Sequence, residues 1–152
     1  MAADVALLED VASGAPPALR LYRWERPALS LGRFQPDEDV DAEACRRLGV
    51  EVVRRPTGGR ALLHGSDLTY ALAVPRPHGA SVDALYAHLA RGLVAGLARL
   101  GVEAGVGTAS GPGGPACVTT ARGADLQVGG RKLCGSAQVH RGARRSSTGR
   151  SC

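Results

Sequence analysis

Three stretches of this sequence have residue types that could do chemistry. The first is Arg54-Arg55-Pro56-Thr57-Gly58-Gly59-Arg60, with His64 four residues further on. Its glycines leave backbone N–H groups accessible, and three guanidinium groups flank them. Such a stretch could hold an anion: a phosphate, a carboxylate or the oxygens of an acyl-phosphate. His64 could add a donor or a base. A glycine turn bordered by solvated arginines would read the same way. The second is Lys132, the one lysine among 19 cationic side chains. An ammonium can hold a carbonyl oxygen as charge develops on it, although a hairpin cation facing water is the plainer alternative. The third is Cys117, after Pro115-Ala116. A thiol there could be activated by nearby cations, or could be a small apolar side chain in a core. Cys134 alternates with Lys132 on one strand face, so either could line the same space.

Other chemistries are disfavoured by spacing. The cysteines stand at 45, 117, 134 and 152, with no CxxC pair and no histidine at zinc-ligand spacing. No metal site is expected, and free cysteines in a reducing cytoplasm are the default. The segment "GVGTASG" (105–111) is not GxGxxG and does not follow a clear strand. The net charge is +5, but Arg141, Arg144, Arg145 and Arg150 lie in the last twelve residues with no acid; setting those four aside leaves +1. The cationic excess therefore belongs to the tail, which makes nucleic acid an improbable partner for the body of the chain. No apolar run approaches the ~18–20 residues of a membrane span. The start carries Asp4, Glu9 and Asp10 rather than a basic segment, so no signal peptide and a cytoplasmic location are expected.

The elements that must position these residues follow from periodicity. A chain of 152 residues is one domain's worth. Residues 3–13 have helical spacing at Val5, Leu8 and Val11. "LRLYRW" (19–24) alternates as a strand, and "ALSLGRF" (28–34) is a second strand that ends at Gly32. A short helix runs from Asp41 to Leu48, stopped by Gly49, and "VEVVRR" (50–55) is again a strand. Residues 61–64 and 68–74 read as strands with a break at Gly65-Ser66. The strongest signal is a helix from Val82 to Leu100, where Val82, Leu85, Tyr86, Leu89, Leu93, Leu97 and Leu100 recur every three or four residues. Ser81 is its expected N-cap. Residues 101–116 read as a glycine- and proline-rich loop, and 125–140 as a hairpin turning at Gly129-Gly130. The fold class expected is α+β: a mixed β-sheet with helices packed on it.

"RRPTGGRALLH" followed by "DLQVGGRKLCGSAQ" resembles the lipoate–protein ligase and octanoyltransferase family. The N-terminal "AADVALLEDV" and "PALRLYRWERPALSLGRFQ" and the later "SDLTYALAVP" are similar to it too. The resemblance covers about residues 2 to 140. It implies a fold like the biotin/lipoate–protein ligase catalytic domain. It also implies attachment of a lipoyl or octanoyl group to the acceptor lysine of a lipoyl domain, on a 2-oxoacid dehydrogenase or a glycine-cleavage carrier protein. In that setting Arg54, Arg55, Thr57, Gly58, Gly59, Arg60 and His64 would line the acyl or adenylate site. Lys132 matches the family lysine that contacts the acyl carbonyl, and Gly135, Ser136 and Ala137 match its following binding segment. No cofactor is expected to be bound permanently; lipoate or octanoate is a substrate. Ligases of this kind use ATP and Mg to form an acyl-adenylate, whereas octanoyltransferases pass the acyl group from acyl-carrier protein through a cysteine thioester. "GPACVTT" resembles the "ACF" segment that bears the nucleophile in one octanoyltransferase branch, with Val118 where Phe is usual. Cys117 tips the expectation toward the thioester route.

The organisation expected is residues 1–140 as the N-terminal part of such a catalytic domain, incomplete at its C-terminus, and 141–152 as a basic, disordered tail. Family members continue through a segment like "ALQHGS"; this chain reads "RGARRSSTGRSC". Codons can be chosen for residues 144–150 that spell Ala-Leu-Gln-His-Gly-Ser when read from their third base. A frameshift near residue 141 is therefore the hypothesis for the tail, decided by the nucleotide sequence across codons 138–152. An inactive fragment of the enzyme is the competing reading from another class, and a basic-tailed nucleic-acid binder a third.

Overall fold

The computed structural model describes residues 1–75, 80–107 and 125–140. Helix α1 (Ala2–Ala12) lies against an antiparallel pair, β1 (Ala18–Tyr22) and β5 (Thr69–Ala73), with Ala18 opposite Ala73 and Tyr22 opposite Thr69. Polar contacts join them: Arg20 Nη1 and the Tyr22 hydroxyl both donate to the Asp4 carboxylate, at 2.6 and 2.9 Å. The Arg20 guanidinium also sits 3.8 Å from the Tyr22 ring centroid, a cation–π contact. Strand alternation then sends Leu19, Leu21 and Leu72 to the opposite face, where Leu19 and Leu21 are about 60% exposed. The expected strand over 19–24 stops at Tyr22, because Trp24 leaves the ladder: its indole N–H donates to Thr69 Oγ1 at 2.8 Å.

The most deeply buried strand is β2 (Ala28–Leu31), with Ala28, Ser30 and Leu31 at most 2% exposed. It pairs parallel with β3 (Glu51–Arg54) and antiparallel with β4 (Leu62–His64). The parallel pairing needs a crossover. A 3₁₀ turn at Asp37–Asp39 and helix α2 (Ala42–Arg47) supply it. Asp41 caps α2 by accepting from the Ala44 N–H at 2.8 Å. Glu43 in the first turn and Arg46 and Arg47 in the last suit the helix dipole. Gly49 follows at φ 65°.

The third sheet is antiparallel: β6 (Gly105–Val106), β7 (Leu126–Val128) and β8 (Arg131–Cys134). Helix α3 (Val82–Arg99) packs beside β6. Its Ser81 cap accepts from the Ala84 N–H at 3.1 Å, as expected. Leu85, Tyr86, Leu89, Leu93 and Leu97 form a half-buried stripe around buried Ala90.

The α+β expectation of mixed β-structure with helices packed on it holds; the described strands form three hydrogen-bonded sheets, one of them mixed. One expectation is corrected: the glycine-rich stretch from 101 is irregular over 101–104 but carries a two-residue strand at Gly105–Val106. Gly105–Val106 pairs with β7, and the Gly107 N–H donates to the Asp125 carbonyl at 2.7 Å. Position 107 also carries no Cβ, which would lie 2.6 Å from the Gln127 amide. Residues 108–116, Cys117 and the tail 141–152 lie outside the described residues.

Candidate functional site

Lys132 owes its place to the turn before it and to an irregularity in its strand. Gly129 and Gly130 take φ 56° and 75°, the left-handed conformations a tight hairpin turn demands. The register then shifts: Val128 and Gln127 face Arg131 and Lys132, but Leu126 faces Cys134. The extra residue, Leu133, makes a β-bulge beside Lys132, and bulges of this kind re-aim side chains.

Lys132 Nζ meets Asp125 Oδ2 at 2.8 Å, with the two side chains 14% and 5% exposed. A carboxylate buried this far needs a cation, and Lys132 provides it. A Cβ on Gly135 would come within 2.9 Å of Lys132 Cε, so the lysine runs over a position that only glycine leaves open. One residue on, the Ser136 hydroxyl hydrogen-bonds the Tyr70 hydroxyl. Cys134 and Lys132 are both half-buried between exposed Arg131, Leu133 and Gly135. Burial pushes the Cys134 thiol up, aided by the Asp125 charge and opposed by Ser136 and Lys132. Its thiolate, the nucleophilic form, is correspondingly scarce. Burial likewise raises the Tyr70 phenol, which stays a neutral hydrogen-bonding group. Exposed Ala137 follows, and then Gln138, whose Nε2 is buried without a hydrogen-bond partner among the described residues.

The Arg54–His64 stretch is a separate construction. Arg54 Nη1 donates to the carbonyls of Gly32 and Gln35, at 2.6 and 2.7 Å, and its other nitrogen pairs with Asp37. Arg55 Nη1 reaches the Ser30 carbonyl and hydroxyl at 2.8 and 3.1 Å; Nη2 reaches the Gly58 and Arg60 carbonyls at 3.0 and 2.6 Å. These guanidinium groups therefore tie backbone together, and the solvated-arginine reading does not describe them. The Arg33 N–H donates to the Thr57 carbonyl at 2.9 Å. A Cβ on Gly32 would stand 1.9 Å from the Gly59 carbonyl oxygen, so the loop is packed backbone to backbone on the end of β2. Gly59 itself has φ 95°. Exposed Arg60 follows.

His64 is 5% exposed and uses both ring nitrogens. Nε2 lies 2.8 Å from Ser30 Oγ and Nδ1 2.8 Å from Asp67 Oδ2. The ring stacks on Trp24 at 4.2 Å. Asp67 also accepts from the Gly65 N–H and the Thr69 hydroxyl. Burial would raise the Asp67 carboxyl, but the hydrogen bonds from His64, Gly65 and Thr69 outweigh it and hold the group below its ordinary value. His64 in this arrangement is a buried link, not an exposed base. A concavity of about 410 Å³ lies outside it, lined by Pro27, Val50, Leu63, His64, Gly65, Ser66 and Asp67; Lys132 is not part of it. The two constructions reach β5 at successive residues, Thr69 and Tyr70.

Sequence reasoning missed Asp125, Ser30, Asp67, Trp24 and Tyr70. One signal was available for Asp125: it is the sole acid after Glu103, seven residues before the sole lysine. Asp67 was also legible in part, since its partners His64, Gly65 and Thr69 lie within three residues; Ser30, Trp24 and Tyr70 act through contacts distant in sequence and have no local signature. Among the described residues no group of three His, Cys, Asp or Glu side chains lies together as for a metal ion, and no helix is long and apolar enough to cross a membrane.

The family model for the lipoyl protein ligase A/B catalytic domain matches residues 1–149. An octanoyltransferase LipM of Carboxydothermus hydrogenoformans is 44% identical over 149 residues, covering 93% of this chain and 55% of the relative. One from Moorella thermoacetica is 40% identical over 154 residues, covering 93% and 56%. Among solved structures, a putative lipoate protein ligase from T. acidophilum with bound lipoic acid aligns with a TM-score of 0.74 at 26% identity, over 92% of this chain and 59% of that one. A lipoate-protein ligase A bound with ATP aligns at 0.75 and 26%, over 92% and 57%. A chain from a structural analysis of an archaeal lipoylation system, a bi-partite lipoate protein ligase and its E2 lipoyl domain from Thermoplasma acidophilum, aligns at 0.67 and 25%, over 92% and 52%. The chain thus spans about half the length of the curated relatives it matches.

Proposed function

This chain belongs to the lipoyl protein ligase A/B catalytic-domain family, and on that premise we propose that it carries the acyl-handling part of an octanoyltransferase serving protein lipoylation. The observation that carries the reading is the buried Lys132–Asp125 pair beside Gly135 and Ser136, on a chain 44% identical to a curated octanoyltransferase. Lys132, held in one orientation by its carboxylate, would donate to the acyl carbonyl oxygen as it gains negative charge. Ser136, Ala137 and the Arg54–His64 loop would complete the surface that receives the acyl group. Thr57, Gly58, Gly59 and Arg60 contribute to it by the shape of the loop that Arg54 and Arg55 brace.

The route proposed runs through Cys117. Its thiolate attacks the thioester carbonyl of octanoyl-acyl-carrier protein, and the carrier thiol leaves. The acceptor lysine amine of a lipoyl domain, on a 2-oxoacid dehydrogenase or glycine-cleavage carrier, then attacks the Cys117 thioester. An amide forms, the amine loses a proton and the Cys117 thiol is regenerated. Cys134 is the poorer candidate, since burial keeps it a thiol. The T. acidophilum protein holds lipoic acid and the lipoate-protein ligase A holds ATP; these support an alternative in which free lipoate, ATP and Mg yield lipoyl-AMP. A cytoplasmic location accords with either route.

The test is transfer of octanoyl to a lipoyl domain by the parent chain, Cys117→Ser and Lys132→Met. Loss of both the covalent octanoyl-enzyme and transfer in Cys117→Ser, with no need for ATP, is expected. Full transfer by Cys117→Ser would remove the thioester route. ATP-dependent attachment of free lipoate would favour the ligase, and a folded chain inert with either donor would favour the inactive-fragment reading.

A further inference from the structure

We propose that Ser30, His64 and Asp67 form a buried clamp that sets the shape of the Thr57-Gly58-Gly59 loop through Arg55, and that Ser30 and His64 are positioning residues. The order Ser–His–Asp invites a nucleophilic reading, which burial rules out. Ser30 is 1% exposed at the centre of β2, between strands β3 and β4 on either side. No substrate carbonyl can reach its Oγ.

The two ends of the relay decide its polarity. An ionised carboxylate only accepts and a guanidinium only donates. Asp67 Oδ2 at 2.8 Å therefore requires a proton on His64 Nδ1. A neutral ring with that proton has a bare Nε2, which accepts from the Ser30 hydroxyl at 2.8 Å. The Ser30 oxygen in turn accepts from Arg55 Nη1 at 3.1 Å. The other arm of Arg55 ends on the carbonyls of Gly58 and Arg60, at 3.0 and 2.6 Å. Donors on this arm therefore run from Arg55 Nη1 through Ser30 and His64 to Asp67; the other acceptor within reach of the Ser30 hydroxyl, the Leu62 carbonyl, is farther, at 3.5 Å against 2.8 Å to Nε2. A side branch through Trp24 and Thr69 closes on the same carboxylate, and the Trp24 ring stacks on His64. The loop thus inherits its shape from a polar run whose far end, Asp67, lies beyond strand β4.

This inference rests on reading the loop as part of the acyl-receiving surface, but its first two readouts do not depend on that reading. Long-range ¹⁵N–¹H correlation on histidine-labelled parent chain should show a proton on His64 Nδ1. A ring without a proton on Nδ1 would overturn the clamp. Ser30→Ala removes the link between His64 and Arg55. Amide exchange at Gly58, Gly59 and Arg60 should then quicken by about five- to tenfold, the factor one net hydrogen bond carries, while the β7–β8 amides are unchanged. Unaltered loop exchange would also overturn it. If octanoyl transfer occurs, Ser30→Ala should raise KM for the octanoyl donor by about fivefold with kcat nearly constant. An equal fall in kcat at constant KM would contradict a positioning role. Absence of transfer in every variant, with the expected tautomer and exchange, would sink the functional reading and leave the clamp standing.

Discussion

Substituting Gly135 by alanine separates the placement of Lys132 from the stability of the fold. The new Cβ would lie 2.9 Å from Lys132 Cε and 3.1 Å from Nζ, and 3.5 Å from Asp125 Oδ1. Carbon contacts settle at about 3.5–4.0 Å, so the end of the lysine must withdraw by roughly 0.5–1 Å. It can do so cheaply, because the obstruction meets the flexible end of a side chain rather than backbone. Gly135 is also absent from the glycines with positive φ, and alanine there narrows the unfolded ensemble, worth about 0.4–1 kcal/mol in favour of folding. The lysine stem can bend around the new methyl and keep its buried ion pair with Asp125, so stability stays within about 1 kcal/mol of the parent. The reaction has no such tolerance. A displacement near 1 Å of a positioned group can cost on the order of 10²-fold in rate, or about 2.7 kcal/mol of transition-state stabilisation. The assay is octanoyl transfer to a lipoyl domain beside a thermal melt. Lys132 is the sole lysine, so a lysine-labelled spectrum reports its movement without ambiguity. A folded Gly135→Ala chain that transfers within twofold of the parent would refute the assignment of Lys132. A large loss of thermal stability would refute the claim that its side chain is what gives way.

Gly32→Ala should do the opposite, because its Cβ would strike the Gly59 carbonyl 1.9 Å away. Backbone must move at both ends, so a loss of about 2–4 kcal/mol in denaturant unfolding is expected; an unchanged midpoint would show that the loop does not rest on β2. Tyr22 should make the chain alkali-sensitive. Burial, with the hydrogen bond and charge of Asp4, raises its phenol from 10.0 to about 12. The folded chain keeps this proton after the unfolded chain has lost it, so the contribution is complete below pH 10 and falls as pH rises toward about 12. Urea midpoints measured across that interval should drop less in Tyr22→Phe than in the parent; equal slopes would remove the effect.

Helices were the most legible part of the fold. The stripe from Val82 and the Ser81 cap located α3 within a residue, because helical spacing and capping are local. The hairpin was legible for the same reason, through Gly129-Gly130. Strand β6 was not: two residues among glycines have no periodicity, and their pairing with Gln127 and Leu126 is set across a long interval of sequence. The arginines at 54 and 55 were visible as cations, but their direction was hidden. What turns them inward is a set of carbonyls on Gly32, Gln35 and Ser30, which only the fold brings near. Lys132 stood out by rarity, whereas Asp125 acquires meaning only once the hairpin closes.

The bulge at Leu133 works like a half-step in a gear. Upstream of it, β8 meshes with β7 on one count; downstream, the count is offset by one residue. Lys132 lies on the upstream count, while Cys134 and the residues that lead to Ser136 and its Tyr70 contact lie on the downstream one. Deleting Leu133 would therefore leave the pairing intact and remove only the offset. Cys134 would follow Lys132 directly, still opposite Leu126, and the local bend that aims Lys132 would be lost. Length at this point of the chain is thus a coding quantity in its own right: sequence drift can change the letters around Lys132 more freely than it can change their number.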